Sequence, residues 1–399
     1  MRKGARQSSA RLLGVAIAGV VIIYVLVFNA EKQMLLAGAS DFSSFYIAGA
    51  ILDSGQGAQV YDYDTQRRAQ APFIEKVSFR KGPLLYNHAP FELLLYAPLA
   101  FLSYEHAVIV WYALNVIGLL LVPVLLRKRL PLLNTELAYA VIVPALFLPA
   151  MYAVIQGQDS VVLLLLFTLV FLNLADDKEG RAGGTLALAM FKPHLALPLL
   201  LVMAVRRRWR FVLAFVGTCV ALAAVSMLLV GWRTTLNFPA FLVHFNRLPA
   251  DVAAAYPDKM PNLRGLVYIL LGSHLSLQRS QMLAAVLSLA AIGLLLLFLW
   301  GRRKLSNLDF ALVVTVSLLA SYHVNLHDLA LLELPLYTVA DYVSSGDLTK
   351  GRVAMVVGGI AVFIAPHFGI SALAIAIALL IFACTLFQEC ANDMGLVPE

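Results

Sequence analysis

The run LLGVAIAGVVIIYVLVF, residues 12–28, decides what kind of fold this chain can adopt. It has no charged side chain and is close to the length of about 20 residues that an α-helix needs to cross a bilayer. Basic residues from Arg2 to Arg11 precede it. A cleaved signal peptide has a shorter apolar core of about 7–15 residues. We therefore predict an uncleaved first transmembrane helix with a cytoplasmic N-terminus.

The rest of the chain repeats this apolar pattern. Of its 399 residues, 61% are apolar and 13% are charged, whereas soluble domains have about 45–50% apolar and about 25% charged residues. This composition excludes a nucleic-acid-binding protein, a soluble Rossmann enzyme and a disulfide-stapled secreted domain. The further apolar segments lie at 90–103, 106–126, 136–155, 160–175, 184–205, 211–230, 282–300, 308–322, 326–343, 353–365 and 371–388. We predict an all-α polytopic membrane protein, one domain over residues 1–399 with about 10–12 transmembrane helices.

Two long stretches do not have the composition of a membrane span. Residues 29–88 carry six acidic and six basic side chains, and residues 231–281 mix charges with prolines. In the first stretch Phe42, Phe45 and Tyr46 recur at helical spacing, which is typical of a helix lying in the membrane interface. We predict a large first external loop with interfacial helices and a second external loop on the same side.

The orientation follows from basic clusters in short loops, which are cytoplasmic as a rule. Clusters at 206–210, 302–304 and 350–352 are such loops. Counting crossings from a cytoplasmic N-terminus puts these clusters inside. The same count puts both large loops and the 321–328 turn outside.

Two basic clusters disagree with that count. Arg127–Arg129 and the pair Lys178 and Arg181 fall outside. They would move inside if 90–126 crossed once and if 184–205 were re-entrant at Pro193. The pattern leaves both topologies open.

Ionisable residues near membrane depth cost about 2.5–3.5 kcal/mol to insert and are therefore candidates for function. Asp41 stands alone among apolar and small residues after the first helix. One interpretation is a helix N-cap, because Ser40 and Asp41 precede a helical pattern. The other is a general base at the membrane surface.

Lys192 is the second such residue. It lies 14 residues before Arg206, or about 21 Å along a helix, which is too far for its ammonium group to reach the basic side. Pro193 beside it interrupts the helical hydrogen bonds. Lys192 either pairs with Asp159 as a buried structural lysine or forms an anion site with His194.

Two histidine-containing motifs complete the candidates. His323 and His327 are spaced i, i+4 and would share one face of a helix. This spacing is typical of a zinc pair, but no HExxH glutamate or nearby third ligand accompanies it, so we predict no metal. The two histidines are either hydrogen-bond donors to a phosphate or sugar or plain turn residues. The other motif is Tyr86-Asn87-His88-Ala89-Pro90-Phe91. It is either the polar start of a helix or a part of the site.

Together these motifs form an ordered series over about residues 35–335: Asp41-Phe42 with Phe45-Tyr46, Tyr86 to Phe91, Gly157-Gln158-Asp159, Lys192-Pro193, Arg207-Arg208-Trp209 and Ser321-Tyr322-His323. The series resembles glycosyltransferase family 87 of the GT-C superfamily, which includes phosphatidylinositol-mannoside mannosyltransferases. The chain departs from the family pattern in two places. Where the family often has Pro-Pro, this chain has Ala89-Pro90. Where the family has Ser-Pro-His, this chain has Ser321-Tyr322-His323.

The resemblance implies an inverting glycosyltransferase that moves a hexose or pentose from a polyprenyl-phosphate donor to a lipid or glycan acceptor, with mannose as a candidate sugar. It makes Asp41, in the large external loop 29–88, the catalytic residue, and it matches Lys192 and His323 to family positions. The expected donor-binding residues are His88, Lys192, His194, His323 and His327. Further candidates are Tyr46, Asn87, Glu92, Gln158, Asp159 and Asp328.

The partners expected from this assignment are the lipid bilayer, the lipid-linked sugar and the acceptor, with no cofactor and no nucleic acid. The expected location is the inner membrane, with the active site facing the periplasm or exterior. A transporter or lipid flippase is the main alternative, because it too would carry intramembrane charges, although no repeat is visible between the halves. A non-catalytic assembly subunit would leave Asp41 dispensable.

Overall fold

A computed structural model describes residues 2–78, 80, 82–245, 256–302, 304–368 and 371–392, with side chains from residue 9 onward. Arg247, Asp251 and Arg303 from the loops discussed above lie outside the described residues. Within the described ranges the ordered elements are helices and no β-strand occurs. The prediction of an all-α polytopic membrane protein is confirmed.

The helices follow one another with short connections. The first half of the chain holds α1 (Arg2–Ala37), α2 (Phe42–Ile51), α3 (Tyr63–Ala69), α4 (Ala71–Lys76), α5 (Leu93–Ala100), α6 (Tyr104–Leu126), α7 (Pro131–Thr135), α8 (Leu137–Ala140), α9 (Val143–Leu146), α10 (Leu148–Gln156), α11 (Ser160–Ala175) and α12 (Glu179–Leu188). The second half holds α13 (Pro193–Val205), α14 (Trp209–Val230), α15 (Trp232–Phe245), α16 (Leu263–Leu271), α17 (Leu277–Leu299), α18 (Asn307–Ala320), α19 (Glu333–Ser344), α20 (Lys350–Ile364) and α21 (Ala372–Asn392). Short π- or 3₁₀-helical turns occupy Leu52–Gln56, Gly57–Gln59, Pro90–Glu92, Ala189–Phe191, Pro257–Lys259, Leu326–Leu332 and Ala365–Phe368.

Six of the described helices are long and apolar enough to cross a membrane: α1, α6, α14, α17, α20 with its 3₁₀ extension, and α21. The segments Leu137–Leu146 and Leu148–Gln156 meet at 61° and form a seventh, broken span if counted together. Shorter apolar helices lie at Pro90–Ala100, Ser160–Ala175, Pro193–Val205 and Asn307–Ala320. The count of about 10–12 crossings stays a prediction for these shorter helices.

The basic clusters meet at one end of the helix bundle, which we call the basic end. Four contacts join its turns: Arg129 with Asp176, Lys304 with Asp177, Arg208 with Glu179, and Arg206 with the backbone oxygen of Arg302. The simple crossing count, which separates Arg127–Arg129 and Lys178 from the other clusters, is therefore wrong.

The physical reason lies in two short helical segments. α5 packs on α2, and α6 is the helix within 90–126 that is long and apolar enough to cross a membrane. α12 begins at the basic end and α13 returns there, with Lys192 at the tip between them. This is the re-entrant arrangement that the sequence left open.

The two polar stretches and the 321–328 turn share the opposite end, which we call the loop end. Thr234 of the second stretch donates a hydrogen bond from Oγ1 to the backbone oxygen of Ala58 at 3.0 Å. Asn262 donates from Nδ2 to the backbone oxygen of Ser321 at 2.9 Å. The prediction that these segments lie on one side agrees with these contacts.

Two details of the first loop concern its start and the packing of α2. α1 continues to Ala37, so the loop begins at residue 38 instead of 29. α2 is buried on nearly all sides, and α5 approaches it so closely that a Cβ on Gly49 would lie 2.9 Å from the backbone of Tyr96. α5 therefore covers much of α2, and the interfacial position of this helix stays a prediction.

Candidate active site

Asp41 lies directly before α2, as a helix cap would, but its side chain does not cap the helix. Its Oδ2 atom accepts a hydrogen bond from Nε2 of Gln158 at 2.6 Å. Asp62, before α3, shows the usual capping arrangement, in which its Oδ1 accepts from the backbone N–H of Thr65 at 2.8 Å. Hydrogen bonds from Thr65 lower the pKa of Asp62. The cap interpretation of the Asp41 carboxylate therefore does not fit the geometry.

Gly157 brings Gln158 to Asp41. Its backbone has φ +64°, in the left-handed region that favours glycine. A Cβ at this position would lie 2.6 Å from Cβ of Phe42, which follows Asp41. The carbonyl oxygen of Gly157 also accepts from Nε1 of Trp111 at 2.8 Å. The α10–α11 turn thus packs directly against the start of α2, and only glycine permits this approach.

Arg80 fixes the same region from the other side. Its guanidinium is buried and donates from Nη1 to the backbone oxygen of Gly38 at 2.7 Å and to Oγ of Ser43 at 3.2 Å. Nη2 donates to the side-chain oxygen of Gln70. The sequence analysis missed this residue, since a lone arginine in a polar loop gives no sign that it will be buried. Arg80 holds the start of α2 in place.

Lys192 lies between two carboxylates. Its Nζ atom is 2.6 Å from Oδ1 of Asp159 and 2.5 Å from Oδ1 of Asp328. Nζ also lies 3.1 Å from Oγ of Ser160, a residue that sequence reasoning did not single out. The lysine side chain is 7% exposed, and those of the two aspartates are 0% and 3% exposed. This geometry matches the alternative of a paired structural lysine and extends it by Asp328.

His88 continues the chain of charges. Its Nδ1 atom lies 2.8 Å from Oε2 of Glu92 and 3.1 Å from Oδ2 of Asp159. Burial lowers the pKa of His88, but the adjacent carboxylates outweigh burial and raise it to about 10. Tyr96 donates from its hydroxyl to Oε1 of Glu92 at 3.2 Å. We call His88, Glu92, Asp159, Lys192 and Asp328 the buried charge network.

Part of this network has the spacing of a metal ligand set. Ligand atoms of His88, Glu92 and Asp159 lie within 4.8 Å of one another. Asp159, however, already contacts Lys192 through its second oxygen. A cation here would compete with the lysine for the same carboxylate.

The 321–328 turn brings its histidines close to the network but not onto one helix face. His323 precedes the 3₁₀ turn Leu326–Leu332 and lies outside any helix. The prediction of a shared helical face with His327 is therefore wrong, because the helix starts after His323. Nε2 of His323 lies 3.3 Å from Nδ2 of Asn325. His327 lies within electrostatic range of Asp41 and of Lys192.

The remaining predicted residues have different surroundings. Tyr46 donates from its hydroxyl to the backbone oxygen of Leu102 at 2.8 Å, which gives it a role in joining α2 to the α5–α6 turn. His194 has a buried Nε2 atom without a hydrogen-bond partner in the described part of the chain. For the side chain of Asn87 the described residues offer no hydrogen-bond partner.

In a comparison with protein families, the model of glycosyltransferase family 87 matches residues 86–321. The chain belongs to glycosyltransferase family 87. The resemblance seen in the sequence is thereby confirmed. Comparison with curated proteins gave no match.

The family match covers most, but not all, of the site. Inside it lie Gln158 and the part of the buried charge network from His88 to Lys192. Asp41 precedes the matched residues, and His323 and Asp328 follow them. The structure joins these outer residues to the matched region through the Gln158–Asp41 and Lys192–Asp328 contacts.

Proposed function

We propose that this membrane glycosyltransferase transfers a hexose or pentose from a polyprenyl-phosphate donor to a lipid or glycan acceptor, with inversion of the anomeric centre. The observation that carries the proposal is the Asp41 carboxylate. It is held by Gln158 at 2.6 Å and makes no capping bond to its own helix. A carboxylate fixed in this way beside a family motif is suited to act as a general base.

In the proposed reaction Asp41 removes the proton of the acceptor hydroxyl. The hydroxyl oxygen then forms a bond to the anomeric carbon while the bond from that carbon to the phosphate oxygen breaks. The electron pair leaves with the polyprenyl phosphate, from the face opposite the acceptor. Gln158 occupies Oδ2 of Asp41, which leaves Oδ1 for the acceptor proton.

The donor phosphate needs hydrogen-bond donors close to the Asp41 region. His323 and His327 belong to the turn that carries Asp328 of the buried charge network, and His327 is in electrostatic range of Asp41. A neutral imidazole ring can donate one N–H to a phosphate oxygen. Lys192 is already bound by two carboxylates, which supports a positioning role for it instead of direct phosphate binding. Cationic side chains can stabilise a phosphate leaving group without a metal, so we expect activity to persist in excess EDTA.

We also propose that the basic end faces the cytoplasm and the loop end the periplasm or exterior of an inner membrane, because Lys and Arg gather in cytoplasmic loops. The N-terminus would then be cytoplasmic. Single cysteines at the exposed positions Gln59 and Asn307 test this orientation. An impermeant reagent applied outside should label Gln59→Cys and should not label Asn307→Cys. The reverse pattern would invert the assignment.

The activity is tested by incubating the purified chain with polyprenyl-phosphate mannose, glucose, galactose and arabinose and with membrane lipids. Mass spectrometry should detect an acceptor that has gained one sugar residue together with released polyprenyl phosphate. Reconstituted vesicles that move the lipid across the bilayer without forming a product would favour the transporter or flippase alternative.

A further inference from the structure

Arg264 is a buried cation outside the buried charge network. It stands at the start of α16, in the second polar stretch, and is 8% exposed. Its Nη1 atom donates to the backbone oxygen of Tyr322 at 3.1 Å, and Cζ lies 4.0 Å from the centre of the Tyr322 ring. Its Nε–H is buried and has no partner among the described residues.

This environment does not match what a buried guanidinium requires. A buried charge is normally paired with an opposite charge, because its desolvation is otherwise uncompensated. Across the described residues, Arg264 has no carboxylate at ion-pair distance. The ring of Tyr322 offers partial compensation through a cation–π contact. Among the described residues, the site therefore lacks one negative charge.

The contrast with Lys192 shows where an anion would bind. Lys192 contacts Asp159 and Asp328, and Glu92 lies one step further along the network. An added phosphate there would meet three carboxylates. A phosphate at Arg264 would instead meet a cation that has no carboxylate at ion-pair distance among the described residues.

The side chains around Arg264 supply a second, independent indication. His323 follows Tyr322 in the chain and interacts electrostatically with Arg264, His194 and Asp328. Nε2 of His194 is buried without a described partner. The carboxylate among these residues, Asp328, is bound by Lys192 at 2.5 Å. Two buried nitrogens around His323, Nε of Arg264 and Nε2 of His194, thus lack partners among the described residues.

We infer that Arg264, with His323 beside it, binds the phosphate group of the lipid-linked sugar donor. This inference rests on the proposed function and names the residue that recognises its donor class. The planar guanidinium presents paired N–H donors that match two phosphate oxygens, which an ammonium group does not. As the bond between sugar and phosphate breaks, negative charge grows on the phosphate, so Arg264 stabilises the transition state more than the bound donor.

The test measures binding of undecaprenyl phosphate and of neutral undecaprenol to the purified full chain in lipid nanodiscs. The wild-type protein should bind the phosphate about tenfold or more tightly than the alcohol, since a charge-assisted bidentate contact is lost with the alcohol. Arg264→Gln should lower the affinity for undecaprenyl phosphate to about that for undecaprenol. Arg264→Lys keeps the charge but loses the paired donors, and should weaken phosphate binding by about threefold or more.

Arg279→Gln is the matched control, because Arg279 is an exposed arginine of the same polar stretch. Its affinities should equal those of the wild type. Wild-type affinity for undecaprenyl phosphate in Arg264→Gln would overturn the inference, and the Arg264→Lys result decides if the glutamine variant does not fold. If the wild-type protein itself does not distinguish phosphate from alcohol, the proposed donor class fails, which is a separate outcome.

Discussion

Two lysine–aspartate pairs at opposite ends of the bundle show how differently the same contact can act. At the loop end, Lys192 lies 2.6 Å from Asp159, and their side chains are 7% and 0% exposed. At the basic end, Lys304 lies 3.0 Å from Asp177, and their side chains are 75% and 72% exposed. The distances are similar, but water can replace either partner only in the second pair. Burial, more than geometry, therefore decides what each pair contributes.

The comparison extends to the surroundings of each pair. Around Lys192 the charges form a connected network that fixes the turns before α11 and α13 close to Asp41. At the basic end Lys304 and Asp177 form an exposed pair and Arg208 and Glu179 a half-exposed one, while the pair Arg302–Asp309 nearby is buried. The loop end holds the site together with a buried network, whereas the exposed charges of the basic end would face the cytoplasm in the orientation proposed above.

The largest effect is expected from Lys192→Met. It leaves Asp159 and Asp328 buried without their common cation, and breaking a buried pair in this way costs about 3–5 kcal/mol. The free energy of unfolding, measured by denaturant titration in detergent, should fall by this amount. A variant as stable as wild type, with weaker donor binding, would instead make Lys192 a phosphate ligand.

A smaller effect is expected from Gly157→Ala, which also disturbs the loop end. The added Cβ would lie 2.6 Å from Cβ of Phe42 at a φ of +64°, a combination of strain and overpacking that costs about 1–3 kcal/mol. Transfer rate should fall with stability, because Gln158 and Asp41 shift apart. Gly293→Ala is the control, since its Cβ would meet nothing within 4 Å. Equal stability of both variants would show that the turn tolerates displacement.

The smallest effect is expected from Lys304→Met at the basic end. Exposed ion pairs contribute about 0–1 kcal/mol, and this one should lie at the lower limit. The free energy of unfolding of Lys304→Met, measured by the same denaturant titration as that of Lys192→Met, completes the comparison of the two pairs. A loss as large as that of Lys192→Met would mean that exposure does not explain the difference between the two ends.

The sequence predicted the helices better than it predicted which side chains pair across them. Apolar runs predicted the long helices, since a bilayer-spanning length is readable from a single segment. Asp41 and Lys192 were found because each is an isolated charge in an apolar or small-residue context. The pairing of Lys192 with Asp328 joins residues 136 positions apart, and no local pattern contains that information.

The errors have physical reasons as well. Residues 29–37 carry charges and look like loop, yet they continue α1 because a helix can project beyond the apolar part of a membrane. Arg80 and Arg264 looked like solvated loop residues but are buried. Burial of a polar side chain depends on the segments packed around it, which the sequence of its own loop does not reveal.

The most direct measurement compares Asp41→Asn with Asp62→Asn in the purified transfer assay. Both aspartates precede a helix of the first loop, but only Asp62 caps its helix. Asparagine caps a helix about as well as aspartate but does not accept a proton at neutral pH. The account predicts that Asp41→Asn lowers the single-turnover rate by about 10²–10⁴-fold, the usual contribution of a positioned base, while Asp62→Asn retains the wild-type rate. A near wild-type rate in folded Asp41→Asn would contradict the account and move the search for the base to Glu92 or Asp159.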